Sequence, residues 1–405
     1  MNKEKILLVV MVVFVVIAIW YLEAKKVHPV VAGPGAQSIA LTATTSPAST
    51  NSVGTSVASS TPVSTNPGST LTLAALAAAD QQAGYPSAIE IVDPTGFVNT
   101  SSSFTLSSLI GKQVVLLDFW TYSCINCLRT IPYLNAWYSR YHNQGLQIVG
   151  IHTPEFDFEK DIGNVSAAVQ KYAIQYPVVL DSDYGTWNAY NNLYWPHEYL
   201  IDMAGYIVHD QVGEGNYAET EAEIQTLLAE RDQILGIAPA SMPTSTVFVP
   251  SSVISGGLLM SPETYFGFAR NSYLTNGVSG NAGAGIQTLT APKNVNVNSL
   301  YLVGKWNFTD QFATNVATGT EILYRYQADK VYIVASASQG VTLEVLQDGK
   351  PVTSAAAGSD VVNGKVFIQG SRLYNLINNP DGSGTHTLEL IMDSPGLQAF
   401  TFTFG

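Results

Sequence analysis

The sequence predicts two folded domains of different class, an α/β domain and then an all-β domain, behind an apolar N-terminal segment and a structureless tether. Three observations predict it. An uncharged apolar run, Ile6 to Leu22, leads into a long stretch of Ala, Ser, Thr, Pro and Gly. From Tyr85, continuous apolar runs alternate with apolar residues at helical spacing. After Ser261, short β-branched runs recur with no helical period.

Composition bounds the function before any motif does. The chain has 405 residues, a prior of two to three domains at about 150 residues each. Lys and Arg number 18 against 31 Asp and Glu, a net charge of −13. That excludes a nucleic-acid binder, which needs a cationic footprint to displace counterions from phosphates. Beyond the extreme N-terminus it also argues against an anionic-lipid surface binder. With 21 Tyr, 15 Phe and 6 Trp there is ample material for cores. The two cysteines, Cys124 and Cys127, allow neither a disulfide scaffold nor a four-thiolate zinc site.

Ile6 to Leu22 holds seventeen uncharged residues, about 26 Å of helix and enough for a thin bilayer core. Trp20 and Tyr21 stand where an aromatic belt belongs. Lys3 and Lys5 on one side balance Lys25 and Lys26 on the other, so charge leaves the orientation open. The run is longer than a signal-peptide core, and Val30-Val31-Ala32 is a poor cleavage site. Residues 1–28 are therefore read as an uncleaved signal anchor and transmembrane helix, with a cleaved signal as the alternative. Residues 29–84 are read as a disordered Ser/Thr/Pro/Ala-rich linker, since Thr44 to Thr70 cannot bury a core. Within it, Leu71 to Ala79 has a short helical composition. An anchor with a long neutral tether places the folded domains away from the membrane, on its extracytoplasmic side.

Residues 85–238 form the predicted α/β domain. Val114 to Phe119 reads as a buried strand. Leu128, Ile131, Leu134, Trp137 and Tyr141 share one face of a helix beginning at Cys124. Leu146 to Thr153 is the next strand, Phe158 to Tyr172 a helix and Val178 to Leu180 a short strand. Gly185 to Tyr190 suggests a short helix. Glu198 to Asp202 and Tyr206 to Val212 read as a hairpin turning at Ala204-Gly205, and Glu219 to Leu235 as a closing helix. This is the thioredoxin-like order.

Cys124-Ile-Asn-Cys127 sits where strand gives way to helix. Two cysteines placed at random would take this spacing about once in 200 trials, so they are read as a pair. At the helix start, free N–H groups and the dipole stabilise a Cys124 thiolate as nucleophile. Cys127, one turn on, is placed to resolve the mixed disulfide.

Leu116-Leu-Asp-Phe-Trp-Thr-Tyr-Ser-Cys-Ile-Asn-Cys127, with Leu128-Arg-Thr-Ile-Pro132, resembles the TlpA/DipZ-like thioredoxin family, of the redoxin and AhpC-TSA type of thioredoxin fold. Trp195-Pro196-His-Glu-Tyr-Leu-Ile-Asp202, Gly205 and Gly213-Glu214-Gly215 continue the match in order. The resemblance implies a membrane-bound thiol–disulfide oxidoreductase working outside the cytoplasm through a redox-active Cys124–Cys127 pair, with no other cofactor and no metal. It implies Asp118 as a buried proton acceptor for the resolving thiol. It places Pro196 as the cis-proline facing the cysteines and Trp195 as a backbone platform for an extended substrate. Trp120 and Tyr122, in the turn before Cys124, join Trp195 and Pro196 as substrate-binding residues. Glu214 is a candidate for lining the site, with a surface turn the preferred reading.

The residues bear on three rival chemistries. Thr121-Tyr-Ser-Cys124 has the T-x-x-C of a peroxiredoxin, yet Leu117 stands where that pattern wants proline. A metallochaperone would draw on His152, His197 or His209 beside the thiols. A structural disulfide of this spacing would close a loop too small to stabilise much.

Residues 239–260 read as a linker, with Pro239, Pro243 and Pro250 among Ser, Thr and Val. Residues 261–405 are read as a β-sandwich of jelly-roll type. Its strands are Leu300 to Trp306, Glu321 to Tyr326, Lys330 to Ala337, Val341 to Leu346, Lys365 to Gln369, His386 to Ile391 and Gln398 to Phe404. Asp348-Gly349 is a hairpin signal. Asn276 to Ile286 is read as a long Gly-rich loop. Ser261-Pro-Glu-Thr-Tyr-Phe-Gly-Phe-Ala-Arg270, Trp306 and Ala399-Phe-Thr-Phe-Thr-Phe-Gly405 resemble the carbohydrate-binding-like C-terminal domain of DipZ-type proteins. Tyr265, Phe266, Tyr273, Trp306 and Tyr326 are the candidates for stacking on sugar, against a reading of them as core.

The expected function is thiol–disulfide exchange on extracytoplasmic protein thiols and disulfides, in the reductant direction. DipZ-type chains carry a multi-span electron relay and this sequence shows one predicted span. The expected electron source is therefore a separate membrane donor of the CcdA/DsbD type. The alternatives are a cell-surface binding protein on a non-catalytic thioredoxin-like scaffold, and a peroxiredoxin-like antioxidant.

Overall fold

The computed structural model describes residues 71–238, 246–247, 260–382 and 384–405. The expected anchor over 1–28, most of the tether and most of the 239–260 linker lie outside these residues. No helix among the described residues is long and apolar enough to cross a membrane.

The expected linker does not run structureless to residue 84. Helix α1 (Leu73–Ala83) is capped at its start by the Thr72 hydroxyl, which accepts from the Ala75 amide, and at its end by Gly84 at φ +82°. Local capping suffices to end a tether and start a helix.

The α/β domain is a six-stranded sheet in the order β1-β4-β3-β2-β5-β6. Its strands are β1 (Gly96–Val98), β2 (Val114–Trp120), β3 (Leu146–His152), β4 (Val178–Leu180), β5 (His197–Ile201) and β6 (Ile207–Val212). β2, β3 and β4 run parallel; β5 and β6 form the expected hairpin, with Gly205 at φ +91° in its turn. All seven β2 residues are buried, because both faces of the central strand are covered. Val114, Leu116 and Trp120 pack on the face of helix α2 (Ile125–Tyr141), and Val115, Leu117 and Phe119 on the other. Alternation therefore puts Asp118 on the α2 face. Ile131, Leu134, Trp137 and Tyr141 form the buried stripe of α2, as their spacing predicts.

The expected helix over Phe158 to Tyr172 is divided. Asp161 is extended (φ −73°, ψ 117°), and its carboxylate accepts from the Gly163 and Asn164 amides, so helix α3 runs only from Ile162 to Lys171. A cap inside an apolar pattern resets the helix start. Helices α4 (Gly185–Ala189) and α5 (Tyr217–Leu235) complete the domain.

The C-terminal region is one large all-β assembly. A continuous strand path replaces two separate sheets, in the order β15 (Val361–Val362), β16 (Lys365–Ile368), β13, β18 (Gly384–Met392), β11, β9, β10 (Ala313–Asn315), β19, β12 and β17, with β7 (Thr264–Tyr265), β8 and β14 attached. β9 (Leu300–Phe308) makes the corner. Leu300 to Val303 pair with β11 (Glu321–Ala328), while Gly304 to Phe308 pair with β8 (Gly285–Leu289). Gly304, at φ +89°, stands between the two pairings. β8 occupies the end of the expected Gly-rich loop, and β17 (Arg372–Asn378) was not anticipated. The Asp348-Gly349 turn joins β13 (Val341–Gln347) to β14 (Lys350–Pro351) with both residues at positive φ, as the dipeptide predicts.

β12 (Lys330–Ser336) is apolar on both faces. Val331, Ile333 and Ala335 enter the core of the all-β region, while Tyr332 and Val334 face the α/β domain. β19 (Gln398–Phe404) serves both sides through a bulge. Val334 of β12 pairs with Thr401 and Ala335 with Ala399, which leaves Phe400 unpaired. The bulge re-aims one side chain. Leu397, Ala399, Phe402 and Phe404 remain in the core, and Phe400 joins Ile125, Phe156, Tyr332, Val334 and Leu373 in a cluster between the two regions. Phe400 packs against Phe156, Phe158 and Phe312 with ring centroids about 5 Å apart.

Candidate active site

Cys124 is the N-cap of α2, and its sulfur accepts from the Cys127 amide at 3.3 Å. Its thiol also points at the Trp195 carbonyl, 3.9 Å away. Both cysteines are free thiols; Cys124 is partly exposed and Cys127 buried. Burial pushes the Cys127 thiol well above its usual range, and Cys124 and the charge of Asp118 add to this. Asp118 is itself fully buried and raised to about 7 by the loss of solvent. Beside it on β5 lies Glu198, its direct cross-strand partner, also buried and pushed up by desolvation and then by Asp118. Asp118 Oδ1 and Glu198 Oε2 have no hydrogen-bond partner. Asp118 was legible in the sequence and Glu198 was not, because the register between β2 and β5 that pairs them joins segments about 80 residues apart.

The Trp195–Pro196 peptide is cis. The Trp195 ring is anchored by its Nε1–H donating to the Thr153 carbonyl at 3.0 Å and by packing on Trp187. The loop before Cys124 is held by Glu159, which accepts from the Ser123 hydroxyl (2.6 Å) and from the Glu155 and Phe156 amides. Glu159 is buried, its carboxyl raised to about 7 by desolvation. Two of its partners are local amides, but the one that ties it to the cysteine loop, Ser123, lies 36 residues away and left no local signal.

Two expected substrate-binding residues are placed elsewhere. Trp120 is fully buried, on the α2 face of β2 under the helix. Tyr122 is also buried, stacked on His152 and reaching the Ser371 carbonyl of the C-terminal region at 3.5 Å. Neither lines the cleft over Cys124. Glu214 does not line the cleft over Cys124; it sits in the expected turn and is paired. It makes a two-pronged ion pair with Arg129, at 2.6 and 2.7 Å. The three histidines weighed as metal ligands have other partners: His152 with Thr121, His197 with Asn192 and Asp210, and His209 with Thr220.

A cleft of about 530 Å³ opens over Cys124. The α/β domain contributes Glu155, Leu193, Tyr194, Trp195 and Val212; the C-terminal region contributes Met260, Glu263, Tyr265, Arg270 and Thr403. Ile125, inside the cysteine motif, is covered by the C-terminal cluster. Of the aromatics considered for sugar stacking, Phe266, Trp306 and Tyr326 are fully buried core residues. Tyr273 packs against that core, and Tyr265 turns to the cleft. The core reading thus holds for Phe266, Trp306 and Tyr326, while Tyr265 and Tyr273 stay partly exposed and line a second cleft together.

Two family models match the chain, the AhpC/TSA family over residues 91–210 and a thioredoxin-like C-terminal domain over residues 261–405. Protein DipZ of Mycobacterium tuberculosis is 38% identical over 313 residues, covering 77% of this chain and 42% of that protein. The chain thus spans less than half the length of that relative. A thioredoxin-like protein solved in its oxidised form in solution matches 36% of this chain and 97% of its own, at 27% identity and a TM-score of 0.34. The thiol-disulfide oxidoreductase YkuV of Bacillus subtilis is 30% identical over 128 residues, which is 32% of this chain and 86% of that protein. By this near-complete match, and by the longer one to DipZ, the chain belongs to the thioredoxin-like thiol–disulfide oxidoreductases, the DipZ-like family that its motifs resemble.

Proposed function

We propose that the protein is a thiol–disulfide oxidoreductase that reduces disulfides of extracytoplasmic proteins through Cys124 and Cys127. The observation that supports this best is the pairing of an N-capping Cys124, open to the cleft, with a Cys127 buried on the Asp118 side of α2.

The Cys124 thiolate attacks one sulfur of the client disulfide. A mixed disulfide forms and the first client thiolate leaves. Cys127 gives its proton to Asp118 and attacks Cys124 Sγ. The second client thiolate is released and the Cys124–Cys127 disulfide closes. Two electrons pass to the client, and a dithiol donor must return them. The cysteine pair needs no further cofactor. We assign that donor role to a separate membrane protein of the CcdA/DsbD type, and membrane attachment to Ile6–Leu22. The C-terminal region then serves as a wall of the redox cleft, which its position over Ile125 supports better than it supports glycan binding.

The test is the reduction potential of the pair in the full chain, equilibrated in thiol buffers with free thiols trapped. A value near or below about −250 mV fits a reductant, and one near about −120 mV makes the protein an oxidant. A pair that never equilibrates with the buffer overturns the redox reading.

A further inference from the structure

We propose that the cleft over Cys124 holds a subsite for a cationic side chain of the client protein, and that Glu263 of the C-terminal region selects it. The inference rests on the redox reading above and deepens it by naming the class of client: an extended segment with Lys or Arg close to its reactive cysteine.

Tyr265 Oη lies 2.8 Å from Glu155 Oε1 and 2.7 Å from Glu263 Oε2. A phenol has one proton, so it donates to one carboxylate and meets the other oxygen to oxygen. Glu155 has a second partner, the Arg270 guanidinium, whose Nη1 donates to Oε1 at 2.7 Å. That guanidinium also stacks on the Tyr265 ring, 3.7 Å from its centroid. Arg270 thus spends its hydrogen bond on Glu155 and its face on Tyr265, and reaches Glu263 only through its charge. Glu263 has no cation at ion-pair distance among the described residues. Two carboxylates therefore share one guanidinium and one phenolic proton, and the group is short by one positive charge.

Two things supply it: a proton from solvent or a cation from the client. Loss of solvent and then the charge of Glu155 push the Glu263 carboxyl up, against the pull of Tyr265 and Arg270, although its outer side is open to the cleft. That opening lets a client side chain reach it. The same cleft carries Cys124, so a charge bound at Glu263 lies beside the exchanging disulfide. Leu193, Tyr194 and Val212, which the α/β domain contributes to the cleft, are exposed apolar residues at 71%, 50% and 46%. They offer the apolar contact that a peptide segment needs on either side of a charge. The net charge of −13 steers cationic clients toward the molecule.

The test uses the full chain, reduced beforehand, in single turnover against two disulfide-bonded peptides. The peptides are identical except for Lys or Glu beside one cysteine. One protein dithiol reduces one peptide disulfide, so no other reductant is needed. The expected result is a rate about tenfold higher for the Lys peptide at about 0.1 M salt. The ratio should fall toward one at about 1 M salt, where the screening length drops from about 10 Å to about 3 Å. E263Q should also bring it toward one. A ratio near one for the wild type, or a Lys preference that survives both high salt and E263Q, overturns the proposal. Should E263Q fail to fold, a peptide of the same net charge with its Lys moved far from the cysteine decides on the wild type: the preference should be lost, and an unchanged rate would assign it to overall charge and overturn the proposal. Reduction of uncharged 2-hydroxyethyl disulfide by the wild type is measured alongside. Its absence would count against the redox reading, whereas its presence with equal peptide rates would count against the cationic subsite alone.

Discussion

Asp118 sets the pH behaviour of the site. Its carboxyl stands at about 7 because it is buried, against about 3.9 in an unfolded chain. The folded state therefore binds the proton more tightly, and Asp118 makes stability fall as pH rises from about 4 to about 7. D118N removes that slope. The variant should unfold at a higher temperature than the wild type at pH 8, by an increment of up to about 4 kcal/mol, and match it near pH 4. Thermal melts at the two pH values check this. The same carboxyl accepts a proton only when ionised, so release of client from the mixed disulfide should rise through pH 7. D118N should slow that release about 100-fold and flatten the profile. Quenched-flow trapping of the mixed disulfide measures both. C127S should accumulate the mixed disulfide, and C124S should form none; accumulation in C124S and none in C127S would reverse the assigned roles.

Elements were legible in the sequence wherever a local rule decides them. The α2 helix declared itself by the spacing of Ile131, Leu134 and Trp137, and the β13–β14 turn by Asp348-Gly349. What escaped were elements decided by distant partners. β17 and β8 are strands because β12 and β9 offer them edges, and their own composition is unremarkable. The corner in β9 is a similar case, since Gly304 looks like any strand glycine until the two pairings around it are seen. At φ +89° with a would-be Cβ 2.7 Å from Thr320 Cγ2, that position excludes a side chain. G304A should destabilise the C-terminal region by about 2 kcal/mol, read as an earlier denaturant transition. An unchanged midpoint would mean that the corner does not need glycine.

At the scale of the whole molecule, the C-terminal region covers Ile125 and forms part of the cleft over Cys124, with Phe400 among Phe156, Phe158 and Phe312. Truncating a buried phenylalanine costs about 3–5 kcal/mol, and at this position the loss falls on the contact between the regions. F400A should raise the rate of Cys124 alkylation by iodoacetamide while leaving the circular dichroism of both regions intact. An unchanged alkylation rate would show that the contact does not control access to the thiol. The sequence by itself determined the α/β and all-β classes, the cysteine pair at a helix start, and a carboxyl on the strand before it. All of these follow from spacing along one chain segment. Only the tertiary structure decided that Trp120 and Tyr122 are core, that Glu198 stands beside Asp118, and that Glu263 and Arg270 share a cleft with Cys124. A strand with apolar residues on both faces states that both are covered and leaves open by what, because the covering surfaces come from residues hundreds of positions away.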